Sequence, residues 1–120
     1  MNTPPAILIV EDDAALRHFM QYMLALDGFD VDVVQDGLAA LRRIDEVLPD
    51  VVILDLTLPR VDGISVYREL ASNPRTAHIP VVIITGREVL ADAATQAAAI
   101  LRKPVAFPVL LDSVHRAIAA

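Results

Sequence analysis

Three apolar runs that never alternate with polar residues set the terms for this fold. They read AILIV (residues 6–10), VVIL (51–54) and VVII (81–84). A strand with one wet face alternates apolar and polar side chains. A run that is apolar throughout and rich in β-branched residues must be covered on both faces, which is the condition of a strand inside a parallel α/β sheet. Two weaker strand signals complete the set. Val31, Asp32, Val33 and Val34 carry a charge at the second position, which suits a strand near an edge, and a short apolar pair, Ile100 and Leu101, precedes Lys103-Pro104.

Helical patterns fill the intervals. Leu16, Phe19, Met20, Met23 and Leu24 fall at i, i+3, i+4, i+7 and i+8, a single apolar stripe that assigns both methionines to the core. Asp13 stands before this stripe as an N-cap, and Asp27-Gly28 follows it as a stop. Leu38, Leu41 and Ile44 mark a second helix that ends before Pro49. Val66, Tyr67 and Leu70 mark a third that ends near Asn73-Pro74, opened by the turn residues Pro59 to Gly63. Residues 89–98 suggest a fourth, nearly all Ala, short and poor in bulk to bury, and expected to be the least ordered element. Pro108 opens a fifth at a first-turn position, with Leu110, Val114 and Ile118 spaced by four. The expected fold is α/β: a single, doubly wound, five-stranded parallel sheet of flavodoxin-like order 2-1-3-4-5 with helices on both faces, made by right-handed crossovers.

At 120 residues this is one domain, 1–120, with a core of Val, Ile, Leu and Ala, since only 4% of the chain is aromatic. A net charge of −6 argues against direct contact with nucleic acid. The absence of cysteine excludes disulfides and thiolate chemistry. No apolar run is long enough for a signal sequence or a membrane span, so a cytoplasmic protein is expected. The chain ends at Ala120 and reads as a stand-alone unit or as part of a longer one.

In an open parallel sheet, ligands bind at the carboxyl ends of the strands. Each strong run here delivers a polar group to that edge: Glu11, Asp12 and Asp13 after the first, Asp55 after the second, Thr85 after the third, and Lys103 after the short run at Ile100. Carboxylates about 4–5 Å apart repel by roughly 3–4 kcal/mol per pair at an effective dielectric near 20, so such a pocket favours a cation. Mg²⁺ takes oxygen ligands. Asp12 and Asp55 are the expected direct ligands, Glu11 the holder of a metal-bound water, and the Thr57 carbonyl a further ligand. Asp55 can then act as nucleophile towards a phosphoryl donor. Lys103 would neutralise one phosphoryl oxygen, and the Thr85 hydroxyl or an N–H of Thr57 or Leu58 would donate to another. His18, His78 and His115 have no ligand spacing and are expected at the surface.

The motifs ILIVEDD (7–13), VILDLTLP (52–59) with Asp62-Gly63, ITG (84–86) and Lys103-Pro104, in this order over essentially the whole chain, resemble the receiver domain of two-component response regulators. The resemblance implies that Asp55 is the phosphoacceptor and that Glu11 and Asp12 are the acidic metal pair. It further implies that Thr85 is the switch hydroxyl and Lys103 the phosphate-contacting lysine. The implied cofactor is Mg²⁺. The implied donor is a phosphohistidine on a sensor histidine kinase or a histidine phosphotransfer protein, with an unknown downstream partner. The chain would be a switch that catalyses its own phosphorylation and slow dephosphorylation. Three features depart from the family pattern. Ile100 stands where an aromatic is usual, the Gly-Ala pair before the fifth strand is missing, and the segment from Thr85 to Lys103 is about one helical turn short. Two other readings remain open: a degenerate receiver that only binds partners, and a Mg²⁺-dependent phosphatase with an Asp nucleophile. The second would usually carry a second Asp where Thr57 stands.

Overall fold

Each of the apolar runs is a strand in the computed structural model, which describes residues 3–58, 61–86 and 96–120. The elements run β1 (Ala6–Val10), α1 (Ala14–Leu26), β2 (Asp30–Val34), α2 (Gly37–Val47), β3 (Val51–Asp55), α3 (Gly63–Ser72), β4 (Val81–Thr85), β5 (Ala99–Arg102) and α4 (Phe107–Ala119). All strand pairs are parallel and the sheet order is β2-β1-β3-β4-β5, as expected from the sequence. The expected helix over 89–98 lies for the most part outside the described residues, and residues 96–98 are turn and coil leading into β5.

The two faces of the sheet are covered by different helix pairs. Leu8, Val10, Val52, Leu54 and Ile83 pack with Ala40 and Ile44 of α2 and Val66, Tyr67 and Leu70 of α3. The alternate residues Ile7, Ile9, Ile53, Val82 and Ile84 pack with Met20 and Leu24 of α1 and Leu110 and Val114 of α4. Fully burying one such aliphatic side chain stabilises the fold by about 1.5–3 kcal/mol. These two layers, sharing the strands, are therefore the main source of stability. The edges differ from the centre, because β5 has a burial pattern that alternates along its length and Ile100 is 42% exposed.

Local chemistry sets the helix ends. The Asp13 carboxylate accepts from Leu16 N–H at 3.2 Å and that of Asp36 accepts from Ala39 N–H at 2.8 Å, each satisfying a donor the helix start leaves open. After α1 the chain turns through Gly28 at φ +98°, a left-handed conformation that costs glycine nothing. The α1 stripe is narrower than its periodicity predicts. Met20 and Leu24 are buried and Met23 is only half-buried, while Phe19 is 49% exposed and meets Phe107 edge-on at 6.0 Å between ring centres. The stripe faces the gap between sheet and α4, so its outer edge is left to water.

Gly63, the first residue of α3, sits against the backbone that follows β3. A Cβ there would lie 2.4 Å from Leu56 Cα and 2.6 Å from the Asp55 carbonyl oxygen. Neither atom belongs to a flexible side-chain tip, so Gly63→Ala should force backbone movement and destabilise the domain by about 1–3 kcal/mol. Denaturant unfolding measures this. A midpoint equal to wild type would mean that the loop yields without strain.

Candidate functional site

The strand ends converge as the parallel topology requires. The register pairs Val10 with Leu54 and Asp55 with Ile84, so Glu11 follows a residue level with Leu54 and Thr85 follows one level with Asp55, the end of β3. Glu11 still takes part in the ladder, donating its N–H to the Val34 carbonyl at 3.2 Å. Glu11, Asp55 and Thr85 are buried at 0%, 1% and 1% exposure, whereas Asp12 is exposed. One carboxylate oxygen from each of Glu11, Asp12 and Asp55 lies within 4.8 Å of the other two.

Lys103 closes this cluster. Its Nζ donates to Asp55 Oδ2 at 3.1 Å and stands 2.8 Å from Glu11 Oε1. Its own N–H is anchored on the Thr85 carbonyl at 2.8 Å, which carries the β4–β5 pairing past the end of β5. Asp55 Oδ1 accepts from the Thr57 N–H at 2.9 Å, so both oxygens of this carboxylate have a donor. Glu11 Oε2 accepts from Asp13 N–H at 3.3 Å. Glu11 Oε1 is buried and has no aligned hydrogen-bond donor among the described residues; the Lys103 ammonium approaches it as a charge.

Burial is the main reason the Glu11 carboxyl is pushed up to about 7, with neighbouring Asp55 adding to the rise and Lys103 opposing it. Desolvation works against the Lys103 ammonium, but Glu11 and Asp55 outweigh it and hold its pKa above the ordinary lysine value. The cluster thus has more negative than positive charge in a half-enclosed space. A buried carboxylate oxygen without a directed donor, beside two more carboxylates, is what a hard cation with oxygen ligands fits. The spread of the three oxygens is near the about 4 Å across an octahedral Mg²⁺.

All the expected site residues come to this one edge. Glu11, Asp12, Asp55 and Lys103 are in mutual reach, and Thr57 contributes its N–H. Thr85 is buried at the next strand end. His18, His78 and His115 are exposed, and His115 Nε2 meets Asp27 Oδ2 at 2.9 Å. Arg17 was not foreseen. It is only 7% exposed, and its guanidinium donates to the Glu11 carbonyl at 3.0 Å and the Asp12 carbonyl at 3.4 Å. The signal was a basic residue three before Met20 and seven before Leu24, on the apolar stripe itself.

A family model for the response regulator receiver domain matches residues 7–115. The chain belongs to that family. The phosphate regulon transcriptional regulatory protein PhoB of Rhizobium meliloti is 39% identical over 114 residues, covering 92% of this chain and 50% of that protein. The DNA-binding response regulator MtrA of Mycolicibacterium paratuberculosis is 41% identical over 81 residues, 68% of this chain and 35% of that one. The chain thus spans half or less of the length of these relatives. Among solved structures, a putative response regulator from Chloroflexus aurantiacus superposes with TM-score 0.89 at 28% identity, covering 98% of this chain and 99% of that one. A sensor protein from Polaromonas superposes with TM-score 0.88 at 32% identity, covering 96% of each chain. The receiver domain is a phosphorylation-dependent switch of two-component signalling. No helix among the described residues is long and apolar enough to cross a membrane.

The raised Glu11 pKa makes a signed prediction. Between its ordinary value of 4.5 and about 7 the folded protein holds a proton that the unfolded chain has released. Stability of the metal-free domain should therefore fall as pH rises through that window, by about 1–3 kcal/mol. Melting in chelator from pH 5 to 8 should show the fall in wild type and a flatter profile in Glu11→Gln. Equal slopes in the two proteins would remove Glu11 as its source.

Proposed function

We propose that this receiver domain, residues 1–120, accepts a phosphoryl group on Asp55 from a phosphohistidine of a sensor histidine kinase or histidine phosphotransfer protein. The observation that carries this reading is Lys103 bridging Asp55 and Glu11 at the one edge where the buried carboxylates meet. The Thr57 N–H on Oδ1 and the Lys103 ammonium on Oδ2 fix the plane of the Asp55 carboxylate, so one oxygen can be presented in line with the phosphorus. Attack by that oxygen forms the acyl phosphate as the donor's P–N bond breaks and the imidazole leaves.

The same residues serve the product. The phosphoryl group adds about −1.5 to −2 charge and three acceptor oxygens. Lys103 and the Thr57 N–H are in place to engage them, and the Thr85 hydroxyl would be drawn in as the switch element. Glu11, Asp12, Asp55 and the Thr57 carbonyl would hold Mg²⁺. When bound, it would neutralise a phosphoryl oxygen and relieve the repulsion among the carboxylates. The exposed Asp12 suits direct ligation, and the buried Glu11 suits the holding of a water. Through this set the domain would catalyse its own phosphorylation and slow dephosphorylation. The place of action is the cytoplasm, with output through a protein partner or a further domain and not through direct nucleic-acid or membrane contact. The complete set of acid pair, acceptor, hydroxyl and lysine favours an active receiver over a degenerate one. Thr57, which cannot act as a general acid, speaks against a phosphatase.

Incubation with acetyl phosphate and Mg²⁺ should add one phosphoryl mass, which Asp55→Asn should lose while keeping its fold. Asp12→Asn should weaken Mg²⁺ binding more than Glu11→Gln. A phosphoryl adduct persisting on Asp55→Asn would identify a different acceptor, and equal losses of Mg²⁺ affinity would remove the division of roles between the acids.

A further inference from the structure

Arg17 is a buried cation that pairs with no carboxylate among the described residues. Its guanidinium donates to two successive carbonyl oxygens, those of Glu11 and Asp12, at the step where the chain leaves β1. Burying a guanidinium is costly unless its donors are satisfied. Here Nη1 finds its partners in the backbone of the acidic loop. From the other side, the Asp13 N–H is held by Glu11 Oε2 at 3.3 Å. The loop that carries the acid pair is thus gripped twice: by its own carboxylate in front and by Arg17 behind.

From this geometry we infer that Arg17 is a positioning residue, which sets the orientation of Glu11 and Asp12 for the cation by tying down their carbonyls from α1. The role rests on the metal-site reading above. One nitrogen, Nη1, donates to both carbonyls and so ties the two peptide planes that flank Asp12, Glu11–Asp12 and Asp12–Asp13, and through them the directions in which the two side chains leave the backbone. Without the guanidinium the Glu11 carbonyl loses this donor in a buried setting and the Asp12 carbonyl loses it in a part-buried one, so the two planes are held less firmly. Groups that orient ligands in this way typically contribute 10–100-fold to metal affinity.

The test compares wild type, Arg17→Lys and Arg17→Met in a direct Mg²⁺ titration, with melting temperature measured on the same samples. The rate of acetyl phosphate labelling is measured across Mg²⁺ concentration. Arg17→Met should bind Mg²⁺ about tenfold more weakly or worse. Its labelling rate should return to near wild type once Mg²⁺ is saturating, because the nucleophile and Lys103 are untouched. Arg17→Lys, which keeps the charge and can reach one carbonyl, should fall between the two, and it remains readable should Arg17→Met fail to fold. The amide resonance of Asp13 should shift in both variants. Wild-type Mg²⁺ affinity in the folded variants, with only a lowered melting temperature, would overturn the role of Arg17 and leave the metal site standing. A wild-type protein blind to Mg²⁺ would overturn both.

Discussion

A parallel sheet buried on both faces leaves no room for a polar side chain along its central strands. β1 from Ile7, all of β4 up to Thr85, and β3 up to Asp55 are aliphatic and almost fully buried, each face filled by its own helix pair. Polar chemistry can enter only where the strands stop. Because all the strands run the same way, they stop on the same side, and the groups at 11–12, 55, 85 and 103 are collected without any need for long-range design in the loops.

Collection creates an electrostatic problem that organises the site. Three carboxylates, two of them buried and one exposed, would repel one another, and the fold answers with Lys103 between Glu11 and Asp55. The answer is incomplete. Glu11 remains reluctant to ionise, and one of its oxygens has no directed donor. That residual imbalance suits the proposed cation, and under the proposed function the reliance on Lys103 would make an added phosphoryl charge a strong perturbation. A phosphoryl group on Asp55, with about −1.5 to −2 charge, would compete with the carboxylates for the ammonium. Lys103 is tied through its N–H to the end of β4, so such a change would start from the edge of the sheet.

That edge carries one of the departures from the receiver pattern that the sequence suggested. Ile100 lies on β5 with a large part of its surface exposed, in place of an aromatic. An aliphatic side chain of this size can cover or uncover apolar surface as the edge shifts, but it lacks the ring and the polar tip through which an aromatic could follow a hydroxyl.

Apart from the cap at Asp36, which was not read, the order and direction of the strands, the helix cap at Asp13, and the meeting of Glu11, Asp12, Asp55 and Lys103 at one edge were all legible in the sequence. The reason is local: each follows from an apolar run and the residue that ends it. Periodicity was less reliable where partners decide burial. It placed Phe19 and Met23 in the core alike, yet Phe19 lies half in solvent against Phe107, because a helix stripe is only as buried as the neighbour it meets. Arg17 went unread for the complementary reason. A charge on an apolar face looks like an exception until the carbonyls it binds are in place, and those carbonyls belong to backbone six and five residues earlier. By itself the sequence determined which groups would meet at the sheet edge. Only the tertiary structure decided how they share charge, with Lys103 bridging two acids and Glu11 held near neutrality, because desolvation and distance exist only once the chain is packed.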